Sequence, residues 1–121
     1  MHNNESAEMY LESILEILNE RGEARSIDVA HKTGYSKPSV SRAVGLLKAH
    51  GHIEVSANGY ITLTENGKKV AEKILERHKT ITVFLEKVGV SPETASSDAC
   101  KIEHVISDES FYKIKDFISK I

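Results

Sequence analysis

The sequence predicts a mostly α-helical chain: a winged helix-turn-helix followed by a second, wholly helical unit. Three features predict it. From residue 6 to residue 51, apolar residues recur at three- and four-residue spacing in three segments separated by glycines. The period then switches to two short alternating runs joined by Asn58-Gly59. After Thr64 the helical spacing returns and persists to the end of the chain.

Each element follows from local chemistry. A first helix is expected over Ser6–Glu20, with Tyr10, Leu11, Ile14, Leu15 and Leu18 on one stripe and Arg21-Gly22 as its stop. A second runs from Ser26, a good N-cap, to Thr33, with Ile27, Val29 and Ala30 as its contacts; Gly34 ends it. Ser36 caps a third, in which Pro38 sits in the first turn, where a missing amide hydrogen costs nothing. Val40, Ala43, Val44 and Leu47 mark its buried side, and Gly51 closes it. Residues 52–55 and 60–63 form a hairpin, or wing. Thr64 caps a long helix to Lys87, with Val70, Ile74, Ile81, Leu85 and Val88 in line and His78 among them. Ser91-Pro92 opens a helix reaching Ile106. Ser107 caps the last one, where Phe111, Ile114, Ile118 and Ile121 repeat. The domains are therefore placed at 1–63 and 64–121. The apolar faces of the second domain have few partners inside so short a chain, which points to a homodimer.

Composition narrows the function. With 121 residues and 40% hydrophobic content, the chain can bury one modest core or two small ones, but scarcely a deep catalytic cleft. The single cysteine, Cys100, excludes an internal disulfide and fits a reducing compartment. No apolar run approaches the ~20 residues that span a bilayer, and the polar start is no signal peptide, so a cytoplasmic protein with no membrane partner is expected. Net charge is −2, but residues 1–20 carry −5 and residues 21–50 carry +4. A basic segment between acidic ones suits nucleic acid.

That basic segment has helix-turn-helix lengths, and its third helix would enter a major groove. The exposed candidates are Ser36, Lys37, Ser39, Ser41, Arg42 and Lys48. Ser36 and the amides beside it suit a phosphate. Ser39 is short enough to approach bases, and Arg42 can read guanine or grip the backbone. Ser56 to Asn58, at the wing, are placed to touch an adjacent phosphate or the minor groove. The competing assignment is a helical trio for protein docking; the basic helix followed by a hairpin favours double-stranded DNA.

A second constellation has metal chemistry. Cys100, Glu103 and His104 stand at i, i+3 and i+4, so on a helix they share one sector. Thiolate, carboxylate and imidazole suit a divalent transition metal, but three groups rarely fill its shell. Met9 and Glu12, an i, i+3 pair on the first helix, and His78 on the long helix are the further candidates. Each has a plain alternative: Met9 as core filler, Glu12 as a solvated carboxylate, His78 as a packed histidine, Cys100 as a small buried hydrophobe. A zinc hydrolase would need an open metal position and a general base; there is no His-Glu-x-x-His run and no second such cluster, so an enzyme is not expected.

Several segments together resemble the diphtheria-toxin-repressor family of metal-dependent regulators, which includes the manganese transport regulators. They are Glu8-Met9-Tyr10-Leu11, the helix-turn-helix through Val44, Thr62-Leu63-Thr64-Glu65-Asn66-Gly67, Arg77-His78 and, above all, residues 98–108. The resemblance implies a metal-activated repressor of metal-homeostasis genes that binds a palindromic operator as a homodimer. It places the activating site on Met9, Cys100, Glu103 and His104, the set of the iron branch, where manganese-type members have Asp and Glu in place of Met9 and Cys100. The softer pair leans toward Fe(II), with Mn(II) the other candidate and Co(II), Ni(II) and Zn(II) as activators in vitro. The iron branch's ancillary site does not carry over, because its other two positions hold Thr82 and Ser96. Glu12 and His78 match the manganese branch, so Glu12, His78 and Glu103 form a possible second site. The small SH3-like domain of longer members is not in the chain. The alternative function is a winged-helix regulator answering to redox state, through Cys100, or to a non-metal ligand.

Overall fold

The computed structural model describes residues 3–121, with side chains from Glu5 onward; the first two residues of the expected 1–63 domain lie outside the described ones. In chain order the elements are α1 (Asn3–Arg21), α2 (Ser26–Thr33), α3 (Lys37–Ala49), β1 (Ile53–Val55), β2 (Ile61–Leu63), α4 (Glu65–Lys87), α5 (Pro92–Ile102) and α6 (Asp108–Ser119). They form two compact units, the first ending at Glu72 and the second running from Lys73 to Ile121. Among the described residues no helix is long and apolar enough to cross a membrane.

In the first unit α1, α2 and α3 pack around Leu11, Ile14, Ile17, Val29, Val40 and Leu47, all buried, and the hairpin adds Ile53 and Ile61. The α2–α3 turn is fixed by Gly34, whose N–H donates to Ala30 O at 2.9 Å. Ser26 is not the cap of α2 but its first residue. Arg25 holds the cap position, and its N–H is taken by the Asp28 carboxylate at 2.9 Å, which satisfies the end of the helix from within. Ser36 caps α3 as its chemistry predicts, accepting from Ser39 N–H at 3.3 Å.

The wing is antiparallel, with Ile53 opposite Leu63 and Val55 opposite Ile61. Its tip is a three-residue loop, because Gly59 N–H reaches Ser56 O and Ser56 N–H reaches Tyr60 O, each at 2.9 Å. Gly59 adopts φ +87°, which side-chain-bearing residues rarely do. The hairpin is tied inward by Ile61 N–H to Ala24 O at 2.7 Å. The Arg25 guanidinium lies 4.8 Å over the Tyr60 ring.

The first turns of α4 belong to the winged unit, although the change of period falls at 63/64. Thr64 explains this. Its hydroxyl donates to Gly51 O at 2.6 Å and accepts from Gly67 N–H at 3.1 Å, so it caps the helix and clamps it to the strand entry. Gly67 lies so close to the chain that a Cβ there would sit 1.9 Å from His52 O.

In the second unit, Ile81, Ala99 and Phe111 form the core, with Leu85, Ile102 and Ile106 against it. Val88 and Ile121, expected on buried lines, are exposed, as are Val105, Tyr112 and Phe117. The helix expected to reach Ile106 stops at Ile102. Beyond it Val105 and Ile106 both donate to Ile102 O at 3.0 Å. The buried Arg77 guanidinium takes Glu103 O at 3.2 Å and Ile106 O at 2.8 Å, and also bonds the Asp108 carboxylate. Arg77 thus satisfies the carbonyls that a helix leaves open at its end. Ser107 then caps α6, accepting from Ser110 N–H at 3.1 Å.

Candidate functional site

The early stop of α5 alters the ligand geometry. Cys100, Glu103 and His104 are not one face of one helix: Glu103 is the C-cap and His104 lies in the turn beyond it. Arg77 holds this turn by the Glu103 carbonyl while the Glu103 side chain points inward, at 0% exposure. Its Oε1 lies 2.8 Å from His78 Nδ1, and its Oε2 lies 3.3 Å from His104 Nε2. The second unit therefore brings one carboxylate and two imidazoles together at a single buried point.

Glu103 Oε2 is buried and accepts no hydrogen bond. A buried carboxylate oxygen left in that condition costs of order 1–3 kcal/mol or more, unless a cation completes it. Oxygen and imidazole donors are the set that Fe(II), Mn(II) and Zn(II) accept. The residues present can therefore hold a divalent metal. The His78 Nδ1 meets Glu103, and its Nε2 lies 3.4 Å from Ser96 Oγ. Thr82, the other departure from the iron branch, donates to the His78 carbonyl at 2.7 Å.

Cys100 is exposed, so it is not the small buried hydrophobe that its residue type suggests. Met9 and Glu12 lie on α1, in the first unit. Met9 is half-buried, and Glu12 is buried rather than solvated. Arg77 enters the sequence reading only through the Arg77-His78 resemblance, yet Ile74, Arg77 and Ile81 share helical spacing, which puts a guanidinium on a buried stripe.

The α3 face is largely as its period implies. Ser36, Lys37, Ser41, Arg42 and Lys48 are exposed. Ser39 is half-buried instead of open. Its hydroxyl accepts from Ser36 Oγ at 3.0 Å and from Arg42 Nη2 at 3.4 Å, which aligns the Arg42 fork along the first turn. Tyr10, buried on α1, packs its ring 5.9 Å from that of Tyr35. Burial, and then the neighbouring Tyr35 phenol, raise its hydroxyl above the ordinary tyrosine value, while Arg42 pulls the other way. An open cleft of about 610 Å³ lies between the end of α3 and the wing, lined by residues such as Lys48, Glu54, Ser56 and Tyr60.

Comparison with known proteins agrees with this layout. Residues 3–60 match the family profile described as the iron dependent repressor N-terminal DNA binding domain. Residues 64–121 match that of the iron dependent repressor metal binding and dimerisation domain. The transcriptional regulator MntR of Escherichia coli O157:H7 is 37% identical over 119 residues, 98% of this chain and 77% of that one. An HTH-type transcriptional regulator of Methanocaldococcus jannaschii is 36% identical over 119 residues, 97% of this chain and 95% of that one. Among solved structures, the manganese regulator SloR superposes with a TM-score of 0.84 at 26% identity, over 95% of this chain and 54% of that one. The chain thus spans about half the length of that solved regulator.

Proposed function

Because the chain belongs to the iron-dependent repressor family of metal-dependent transcriptional regulators, we propose that Fe(II) or Mn(II) activates it to bind a palindromic operator as a homodimer. It is a transcriptional regulator and not an enzyme. In this reading residues 1–63 grip DNA, and residues 64–121 hold the metal and pair with a second copy. The observation that carries it is the Glu103 carboxylate, fully buried between the His78 and His104 imidazoles, with one oxygen that accepts no hydrogen bond.

The proposed activating set is Met9, Cys100, Glu103 and His104, with Glu12, His78 and Glu103 as a second arrangement. A bound cation would neutralise the carboxylates and fix the distance between the donors that ligate it. The chain's own residues do the rest. Met9 and Cys100 set softness, which favours Fe(II), whereas the two carboxylates favour Mn(II). The name of SloR, a manganese regulator, supports Mn(II). Metal occupancy selects the spacing of the two α3 helices that one DNA face demands. This is a population shift limited by differential affinity, of about 1–3 kcal/mol in ordinary cases.

The test is operator binding under reducing conditions, titrated with Fe(II), Mn(II), Co(II), Ni(II) and Zn(II) against a chelator control. Binding should rise at least tenfold with Fe(II) or Mn(II). Equal binding in chelator, with a response to oxidant instead, would favour redox control through Cys100.

A further inference from the structure

Tyr35 stands in the turn between α2 and α3, immediately before the Ser36 cap, and half of its surface is exposed. An aromatic side chain at such a place is normally mobile. This one is held twice. Its N–H donates to Thr33 Oγ1 at 3.2 Å, and that hydroxyl is itself anchored on Val29 O at 2.8 Å. Its ring leans at 59° on the ring of Tyr10, which is buried in α1. The fold thus fixes both backbone and ring of a residue whose outer face remains in solvent. Presenting a rigid, amphipathic side chain in this way lowers the entropy lost on binding.

We propose that the Tyr35 hydroxyl is a further DNA contact, donating a hydrogen bond to a backbone phosphate beside the groove that α3 enters. The proposal rests on the DNA-binding reading above. Tyr35 adjoins the chain of Ser36, Ser39 and Arg42 along the first turn of α3, the end of a recognition helix that lies nearest the duplex. A residue ahead of the cap stands at the rim of the groove, where phosphates are nearer than base edges. Tyrosine hydroxyls are among the groups that bond phosphate oxygens. Being neutral, Tyr35 displaces no counterion, so its signature differs from that of Arg42.

The test is Tyr35→Phe, which removes the hydroxyl and keeps the ring against Tyr10. Binding of the Mn(II)-loaded variant is measured by fluorescence anisotropy on two duplexes, one selected by the wild type from a randomised pool and one scrambled. Affinity should fall roughly tenfold on both. The slope of log affinity against log salt and the melting temperature should stay as in the wild type. Wild-type affinity in the variant overturns the contact, and a loss on the selected duplex alone overturns phosphate in favour of a base. A loss that tracks a fall in melting temperature assigns Tyr35 to the fold. If the wild type enriches no duplex from the pool and does not bind the scrambled one, the DNA-binding reading falls and the contact with it.

Discussion

At the scale of single residues Glu103 is decisive. Its carboxylate is fully buried between two imidazoles, a costly position for a charge without a cation. Glu103→Gln keeps the volume and removes the charge. Mn(II) affinity, read by isothermal titration, should fall at least roughly a hundredfold. Urea stability in chelator should hold or rise, because the buried charge is gone. An unchanged Mn(II) affinity would remove Glu103 from the site. Arg42 is the complementary case. Arg42→Ala should weaken DNA binding and lower the salt slope by about 1, with metal affinity untouched. Loss of metal affinity as well would make Arg42 a structural residue. Both residues were legible in the sequence, through spacing and family resemblance. Burial was not: for these two ligand candidates the plain alternatives, a solvated Glu12 and a buried Cys100 thiol, both differ from the structure. Residue type fixes an average tendency, whereas exposure depends on which face the neighbouring elements cover.

At the scale of elements, capping decides where helices begin and end. Ser36, Thr64, Ser91 and Ser107 each accept from an amide three residues on, and each was readable as a hydroxyl before an apolar period. The end of α5 was not readable, since it depends on Arg77, which is distant in sequence. The contact of Gly67 with His52 O was equally hidden. Gly67→Ala should destabilise the winged unit by about 3 kcal/mol, because its methyl group meets backbone rather than a flexible tip. Gly45→Ala is the control. Its Cβ would meet open space in the middle of α3, so stability should rise by about 0.5–1 kcal/mol. Urea denaturation followed by circular dichroism separates the two; equal midpoints would refute the close approach at Gly67.

At the scale of the whole molecule, the sequence order of helix-turn-helix, wing and helical unit was legible because period and turn chemistry change at each border. The packing border inside α4 was not, since it reflects the Thr64 and Gly67 contacts rather than any break in the helix. At this scale the property to test is coupling: in the proposed function a divalent ion held with the help of the buried Glu103 sets, by its occupancy, the grip on DNA. Linkage makes that coupling reciprocal. Free Mn(II), followed by its electron paramagnetic resonance signal, can be titrated into the protein with and without saturating operator duplex. The account predicts that the duplex tightens Mn(II) binding by the same factor, of order ten or more, by which Mn(II) tightens the duplex. Identical Mn(II) affinity in the two titrations would contradict it.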